Sequence, residues 1–197
     1  MNERPIAFGG SMVRAILGGG KTQTRRIVDP QPEARATVYP MPLDGEWYWQ
    51  HKKLHAGYLH TGRRAMERLM VPLCPYGKVG DHLWVRETWR ARAPDQDGCT
   101  IDYRADHWTE DPCDVPWRPS IHMPRWASRI TLEITDVRVE RLQEISASDA
   151  LAEGVTHSTL NDPRVEYRWL WESIYGEGSW NLNPWVWVIE FRKVDGR

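Results

Sequence analysis

Apolar and polar positions alternate most regularly in the third quarter of the chain. In Ser128–Ile134 the apolar residues Ile130, Leu132 and Ile134 alternate with polar ones. A second alternating run, Val137–Leu142, follows after Thr135 and Asp136. A period of two residues is typical of a strand with one buried face. The pattern therefore predicts two half-buried, antiparallel-type strands separated by the Thr135–Asp136 break.

Other segments also carry strand signals. Trp185–Phe191 is apolar on both faces for most of its length, which predicts a central strand of a sheet. Strands are further predicted in His82–Trp89, after a turn at Gly77–Asp81, in Cys99–Arg104, and on a hairpin that carries Trp47, Tyr48 and Trp49.

Helical periodicity is strongest in Pro163–Tyr175, where Val165, Trp169, Leu170 and Ile174 recur near 3.6 residues. We expect an amphipathic helix there, with the Trp169–Trp171 run in the core. Two shorter helices are predicted, Ser11–Leu17 with Ser11 as N-cap, and one that begins after Ser146 with an acidic capping box at Asp149 and ends at Gly154.

Short helices among five or six strands predict an α+β fold, a small closed β-barrel with helices at its openings. At 197 residues, we expect a single domain, 1–197. Two polar, proline-punctuated regions, at about 29–76 and 91–124, are predicted to be insertions into this domain because they are too long for plain loops.

Composition narrows the classes of function. The 26 basic and 27 acidic residues give a net charge of −1, so no global field attracts nucleic acid. Twelve tryptophans and seven tyrosines against two phenylalanines favour half-buried positions, interfaces and stacking surfaces. No apolar run approaches a membrane span and no secretory leader is recognisable, so we expect a cytoplasmic protein without a membrane partner.

Three cysteines, Cys74, Cys99 and Cys113, cannot all form disulfides with one another. Together with His107 or His122 they offer a Cys₃His set for zinc, but no C-x-x-C pair is present and the sulfurs are widely spaced. Reduced cysteines, with no metal and no cofactor, are the expectation.

The most distinctive stretch is a run of three glycines, Gly18–Gly20, followed by Lys21–Arg26. Glycines permit a tight turn and a close approach of other groups. On an extended segment Lys21 and Thr24 point to opposite sides, yet strand twist at the turn can bring them to one site. The alternative is a solvated basic turn that joins a helix to a strand.

The sequence Gly20-Lys21-Thr22 also resembles the end of a phosphate-binding P-loop. That motif requires a glycine at position 15, where this chain has alanine. It also requires a strand before the loop and a helix after it, which is the reverse of the order predicted here. A P-loop is therefore excluded.

The pattern Gly19-x-Lys21-x-x-x-x-Arg26 after a short helix resembles the G-x-K-x-x-x-x-R motif of ASCH domains, which share a PUA-like β-barrel. Further similar pieces follow in the same order, namely Val79–Leu83, the strand pair that ends at Leu142, the helix that carries Glu153, and Val186–Phe191. Together they cover about half of the chain. The two insertions make it similar to long phage and prophage ASCH proteins.

This resemblance implies a link to RNA, since ASCH proteins include RNA-binding members, reported ribonucleases and a short bacterial branch that hydrolyses N4-acetylcytidine. The K-T-x-T-x-R motif of that branch corresponds to Lys21–Arg26. By the resemblance Lys21 is the base, Thr24 the nucleophile and Glu153 the acid. Residues predicted to bind the substrate are Thr22, Arg25 and Arg26, the last as an oxyanion donor.

Two functions remain open. The first is an amidohydrolase that removes the acyl group from N4-acylated cytidine or cytosine. The second is an RNA-binding module or ribonuclease, in which phosphates contact basic side chains and tryptophans stack on bases. The basic side chains in that case are Lys21, Arg25 and Arg26, with Arg63, Arg64 and Arg68 as additional candidates. The near-zero net charge favours the small-substrate enzyme.

Overall fold

A computed structural model describes residues 2–31, 74–92, 100–107, 114–155 and 162–194, and the backbone of 38–43 and 46–51. The strands are β1 (Glu3–Ala7), β2 (Gln23–Ile27), β3 (Val38–Leu43), β4 (Glu46–His51), β5 (His82–Arg86), β6 (Trp89–Ala91), β7 (Ile101–Tyr103), β8 (Thr131–Arg141) and β9 (Trp185–Val194). The helices are α1 (Gly10–Leu17), α2 (Ala147–Ala152) and α3 (Pro163–Tyr175).

Five strands form the principal sheet in the order β1-β5-β8-β9-β2. Strands β1 and β5 are parallel, and the other neighbours are antiparallel. Strand β9 lies between β8 and β2, and its residues Val186–Ile189 are all buried. The prediction of an interior strand there is confirmed, because a strand covered on both faces must be apolar on both.

Strand β8 corrects the prediction of two separate strands. It is continuous from Thr131 to Arg141, and its pairing with β9 shifts register between Ile134 and Asp136. An extra residue in one strand moves the following side chains to the other face. This explains why the buried positions change from Leu132 and Ile134 to Val139 across the irregularity.

The predicted ends of α2 and α3 are confirmed, but the predicted N-cap of α1 is wrong. Helix α2 has the predicted capping box between Ser146 and Asp149, and α3 spans the predicted residues. The N-cap of α1 is Gly9 and not Ser11, so no side chain caps the start of this helix.

The prediction that the Trp169–Trp171 run of α3 lies in the core is correct for Trp171, correct in part for Leu170 and wrong for Trp169. Tyr167 and Trp171 are buried, whereas Trp169 and Ile174 are 56% and 57% exposed. Tyr167 and Trp171 lie four residues apart and pack into one apolar cluster with β9. Because this helix carries apolar side chains around most of its circumference, the period alone did not identify the buried side.

The predicted α+β class is confirmed. Within the described residues the ladder runs from β1 to β2 without a recorded pairing between these two edge strands, so closure into a barrel stays a prediction. The β3–β4 pair, which carries Trp47–Trp49, lies in the first region predicted to be an insertion. The β6–β7 pair joins the end of the predicted strand His82–Trp89 to a strand inside the second such region. Among the described helices, none has the length and apolar character needed to cross a membrane.

Candidate active site

The glycine run links the end of α1 to the segment that carries the predicted site. Gly19 has a left-handed φ of 75°, a conformation that glycine adopts without steric cost. The backbone N–H groups of Gly20 and Lys21 both donate to the carbonyl of Ala15, at 2.9 and 3.1 Å. The turn therefore caps the helix and places Lys21 directly after it.

Lys21 lies beside the C-terminal end of α2. An isolated antiparallel bridge joins Lys21 to Glu153, and the Thr22 N–H donates to the Ala152 carbonyl at 2.9 Å. Gly154 makes this approach possible, since a β-carbon on it would lie 2.9 Å from the β-carbons of both Ala15 and Lys21. Its φ of 84° also favours glycine.

Lys21 and Glu153 form a buried ion pair, with side chains only 2% and 3% exposed. The Lys21 Nζ donates to Glu153 Oε2 at 2.9 Å, to the Glu153 carbonyl at 2.7 Å and to the Gln23 carbonyl at 2.8 Å. Three bonds use all three protons of an ammonium group. Burial lowers the pKa of Lys21, while the charge and the hydrogen bond of Glu153 raise it in part.

Arg25 contacts the other oxygen of the same carboxylate. Its guanidinium is fully buried and lies 3.3 Å from Glu153 Oε1, 3.0 Å from Glu140 Oε2 and 3.4 Å from Asp149 Oδ2. Glu153 is thus held between two cations, one on each oxygen. This geometry makes Arg25 a support for Glu153, and the predicted direct contact of Arg25 with substrate stays a prediction.

Arg138 extends the network on the far side of Arg25. It donates to Glu140 Oε1 at 2.6 Å and to Gln23 Oε1 at 3.1 Å, and it also pairs with Asp149 at 3.3 Å and with Glu190. Glu140 and Asp149 therefore each pair with both Arg25 and Arg138. Lys21 and Arg25 are thus each balanced by at least one carboxylate.

A cavity of about 410 Å³ opens next to this network. One wall contains Lys21, Thr24, Arg25, Arg26 and Glu153. Thr24 is on β2 opposite Ile189 and is 4% exposed. The cavity is thus lined by a hydroxyl, an amine and a carboxyl group.

The rest of the cavity is lined by small, polar and aliphatic residues and by four aromatic ones, namely Phe8 and three residues of α3, Tyr167, Trp171 and Tyr175. The rings of Trp171 and Tyr175 have centroids 4.3 Å apart and are tilted by 33°. Burial raises the pKa of Tyr167 well above its ordinary value, and the Glu153 charge raises it further. The wall therefore offers flat apolar surface with an uncharged phenol.

Arg26 differs from the other cations of the cavity. Its guanidinium donates to the Ala7 carbonyl at 2.6 Å and lies 5.2 Å from the centre of the Phe8 ring. Within the part of the chain that the structure describes, no carboxylate pairs with it. Among the described residues, Arg26 is therefore a cation of the cavity wall without a carboxylate partner.

Of the six predicted site residues, the structure brings five to this cavity, all except Thr22. The Thr22 side chain is exposed, and its backbone carbonyl accepts from Phe191 at 2.8 Å. Its predicted contact with substrate stays a prediction.

Sequence reasoning missed the aromatic wall of α3 and the supporting residues Glu140 and Arg138. The run Trp169–Trp171 indicates core packing, which is correct for Trp171, but it carries no signal that the same residue also borders a cavity. Alternating polar residues on β8 were the signal for the other two, but alternation is equally typical of a solvated face.

No group of three or more metal-ligating side chains occurs among the described residues. Cys74 is a free thiol whose pKa is raised to about 11 by burial. Cys99, Cys113 and the predicted phosphate contacts Arg63, Arg64 and Arg68 lie outside the described residues.

Comparisons with known proteins give one similarity. No protein-family model and no curated protein matches the chain. Among solved structures, it is similar to the crystal structure of protein EF3133 from Enterococcus faecalis V583, whose family model is DUF984. The identity is 13%, the alignment covers 99% of this chain and 82% of that chain, and the TM-score is 0.43. A similarity this weak carries no argument about function.

Proposed function

We propose that this protein is an amidohydrolase that removes the acyl group from N4-acylated cytidine or cytosine. The observation that carries the proposal is the buried Lys21–Glu153 pair, at 2.9 Å, in the wall of a cavity that Thr24 also lines. The resemblance of Lys21–Arg26 to the ASCH motif supports the same reaction. Membership of the ASCH family and a PUA-like barrel are part of this proposal.

Lys21 must lose a proton before it can act as the base. An ammonium with three donated bonds has no lone pair and cannot accept a proton from Thr24. Transfer of one proton from Lys21 to Glu153 produces a neutral amine and a neutral acid without changing the total charge. Burial lowers the pKa of Lys21, against the opposing charge of Glu153, and so reduces the cost of this transfer.

Acylation then follows from the neutral pair. The Thr24 Oγ1 attacks the acyl carbon, and its proton passes to the Lys21 amine. Glu153 gives its proton to the N4 nitrogen as the carbon–nitrogen bond breaks. Free cytosine or cytidine leaves, the acyl group remains on Thr24 as an ester, and the Lys21–Glu153 ion pair is restored.

Deacylation uses the same groups in the opposite sense. Water attacks the ester carbon and gives a proton to the Glu153 carboxylate. The Thr24 oxygen leaves and takes a proton from the Lys21 ammonium. The products are a carboxylic acid and free Thr24, and the pair is again one neutral amine and one neutral acid.

Arg26 and the aromatic wall supply binding. The Arg26 guanidinium, which has no carboxylate partner among the described residues, would stabilise the oxyanion of the tetrahedral intermediate. Tyr175, which is 36% exposed and packs against the Trp171 ring, offers flat surface to a pyrimidine ring. A cavity of about 410 Å³ is within the range of small-molecule sites.

The contacts of the described basic residues favour the amidohydrolase over an RNA-binding function. Phosphate contacts require accessible cations, but Lys21 and Arg25 are buried and paired with carboxylates. An RNA-binding role would therefore rest on other residues.

The test is the release of cytidine from N4-acetylcytidine by purified protein, followed by liquid chromatography. Mass spectrometry of rapidly quenched protein should also detect an acyl ester on the peptide that contains Thr24. Absence of turnover, or turnover that is unchanged in Thr24→Ala, would sink the proposal. Salt-dependent retention of RNA without turnover would instead favour the RNA-binding function.

A further inference from the structure

A second pocket, of about 270 Å³, adjoins the catalytic cavity. Ala7 and Arg26 line both spaces, so the two pockets meet at the C-terminal end of β1. The second pocket is further lined by Arg86 and Tyr76, together with apolar side chains that include Ile121. Arg26, which donates to the Ala7 carbonyl at 2.6 Å, therefore forms the boundary between the two pockets.

The polar side chains of the second pocket are hydrogen-bond donors, and no carboxylate lines it within the described part of the chain. Arg26 and Arg86 each have a buried Nε that finds no hydrogen-bond partner in the described residues. The Arg86 guanidinium lies 4.6 Å from the centre of the Trp84 ring, and no ion pair involving it occurs among the described residues. This contrasts with Lys21 and Arg25, whose charges are balanced.

Tyr76 adds a third donor. Burial raises the pKa of its hydroxyl, and the positive charge of Arg26 opposes that effect, so the hydroxyl is protonated at neutral pH. Two guanidinium groups and a phenol that meet at one pocket suit an anion with several oxygens. Guanidinium binds phosphate oxygens through paired, charge-assisted hydrogen bonds.

We propose that the second pocket binds the phosphate group of a nucleotide whose base occupies the catalytic cavity. The identity of the base in this inference rests on the proposed function. The pocket would make the preferred substrate a phosphorylated cytidine, either a free nucleotide or a residue in RNA, and not the bare nucleoside. Arg26 would stand between the two parts of the substrate and contact both.

The first experiment compares kcat/KM for N4-acetylcytidine, its 5′-monophosphate and a short oligoribonucleotide with one N4-acetylcytidine. We expect the monophosphate or the oligoribonucleotide to exceed the nucleoside by about tenfold, the effect of one charge-assisted contact. In Arg86→Gln this ratio should fall toward one, and in Arg86→Lys it should fall less. The control Arg192→Gln, at an exposed arginine paired with Glu133, should keep the ratio.

The two phosphorylated probes distinguish the sources of phosphate. A gain for the monophosphate alone assigns the pocket to a terminal phosphate, and a gain for the oligoribonucleotide alone assigns it to a phosphodiester. Equal kcat/KM for all three probes, or a ratio that Arg86→Gln leaves at the wild-type value, would overturn the proposal.

Calorimetric binding separates this inference from the amidohydrolase. We expect cytidine 5′-monophosphate to bind about tenfold more tightly than cytidine, less so at high salt, and inorganic phosphate to compete with the monophosphate. If no probe is hydrolysed but this preference is present and disappears in Arg86→Gln, the phosphate pocket stands without the amidohydrolase. If hydrolysis occurs but the monophosphate has no advantage in binding or turnover, the phosphate pocket is wrong and the amidohydrolase stands.

Discussion

Glu153 contacts Lys21 through two different oxygen atoms. The Lys21 Nζ is 2.7 Å from the backbone carbonyl of Glu153 and 2.9 Å from its carboxylate. The carbonyl contact fixes the amine relative to the end of α2, and the carboxylate contact fixes the acid relative to β2. One lysine therefore joins the two elements and supplies the base of the proposed reaction.

Gly154 is the residue on which this contact depends. A β-carbon there would lie 2.9 Å from the β-carbons of Ala15 and Lys21, which would push the end of α2 away from α1 and from Lys21. We expect Gly154→Ala to lower the free energy of unfolding by about 2–4 kcal/mol, from left-handed backbone strain and overpacking together. Turnover should fall as well, because Glu153 moves with the backbone. Chemical denaturation and steady-state kinetics measure the two effects.

Gly80 provides the matched control. It has the same φ of 84° but no atom within 4 Å of the position of a β-carbon. Gly80→Ala should therefore lose only about 1–2 kcal/mol and keep its turnover. Equal losses in the two variants would show that close contact at Gly154 is not important.

Arg25 should be essential for stability. Its removal in Arg25→Met leaves the carboxylates of Glu153, Glu140 and Asp149 without their shared cation. We expect a loss of about 3–5 kcal/mol in the free energy of unfolding, as is typical when one member of a buried ion pair is removed. The additional change Glu140→Gln should restore part of this loss.

The comparison variant is Arg192→Gln, which breaks an exposed pair with Glu133. Its effect should be at most about 1 kcal/mol. If Arg25→Met is as mild as this control, the buried network does not hold the site together.

Thr24 should supply the nucleophilic oxygen. Thr24→Ala is expected to lower kcat by at least about a thousandfold, because the variant lacks the oxygen that attacks the acyl carbon. Thr24→Ser keeps a hydroxyl and should keep much of the activity. Thr131→Ala, a change of a β8 threonine away from the cavity, is the control. Similar activity in Thr24→Ala and the wild type would remove Thr24 from the mechanism.

Lys21 should titrate below an ordinary lysine. Burial lowers its pKa from 10.5, and the Glu153 charge opposes this. The active site in our mechanism holds one proton on the Lys21–Glu153 pair, so kcat/KM should fall on the alkaline side as that proton is lost, at a pH below 10.5. In Glu153→Gln the opposing charge is gone, and the pKa of Lys21 should decrease further.

NMR titration of the Lys21 side chain measures this pKa directly in both proteins. A value at or above 10.5 in the wild type would contradict the assignment of Lys21 as the base.

Cys74 should react slowly in the folded protein. Burial raises the pKa of its thiol from 9.0 to about 11. The thiolate fraction at pH 8 is then about a hundredfold smaller than for an ordinary thiol, and the thiolate is the reactive form. Alkylation with iodoacetamide, followed by peptide mapping, should show slow labelling of Cys74 in buffer and fast labelling in urea. Equal rates in both conditions would refute this expectation.

Strand β8 shows what a pattern of side chains can and cannot predict. The two alternating runs were recognised, and both lie in the sheet. Their union into one strand depends on pairing with β9, where a single irregularity between Ile134 and Asp136 keeps the ladder intact. A break in alternation is compatible with either a turn or a bulge, and only the partner strand decides between them.

Helix α3 gives the same lesson for the site. Its ends follow from local signals, Asp162 as N-cap, Pro163 in the first turn and Gly176 after the last. Which side of the helix faces the cavity depends on the elements packed against it. The sequence therefore does not predict that Tyr167 and Trp171 line the cavity, although it predicts the helix that carries them.

The sequence by itself determined the features that depend on neighbouring residues, namely the glycine turn before Lys21, the capping box of α2 and the bounds of α3. Family resemblance, and not spacing, pointed to Glu153, which is 132 residues from Lys21 along the chain. Only the tertiary structure decided that Arg25 holds Glu153 and that Arg26 separates two pockets. Contacts of this kind depend on the packing of distant strands and helices, which no local pattern encodes.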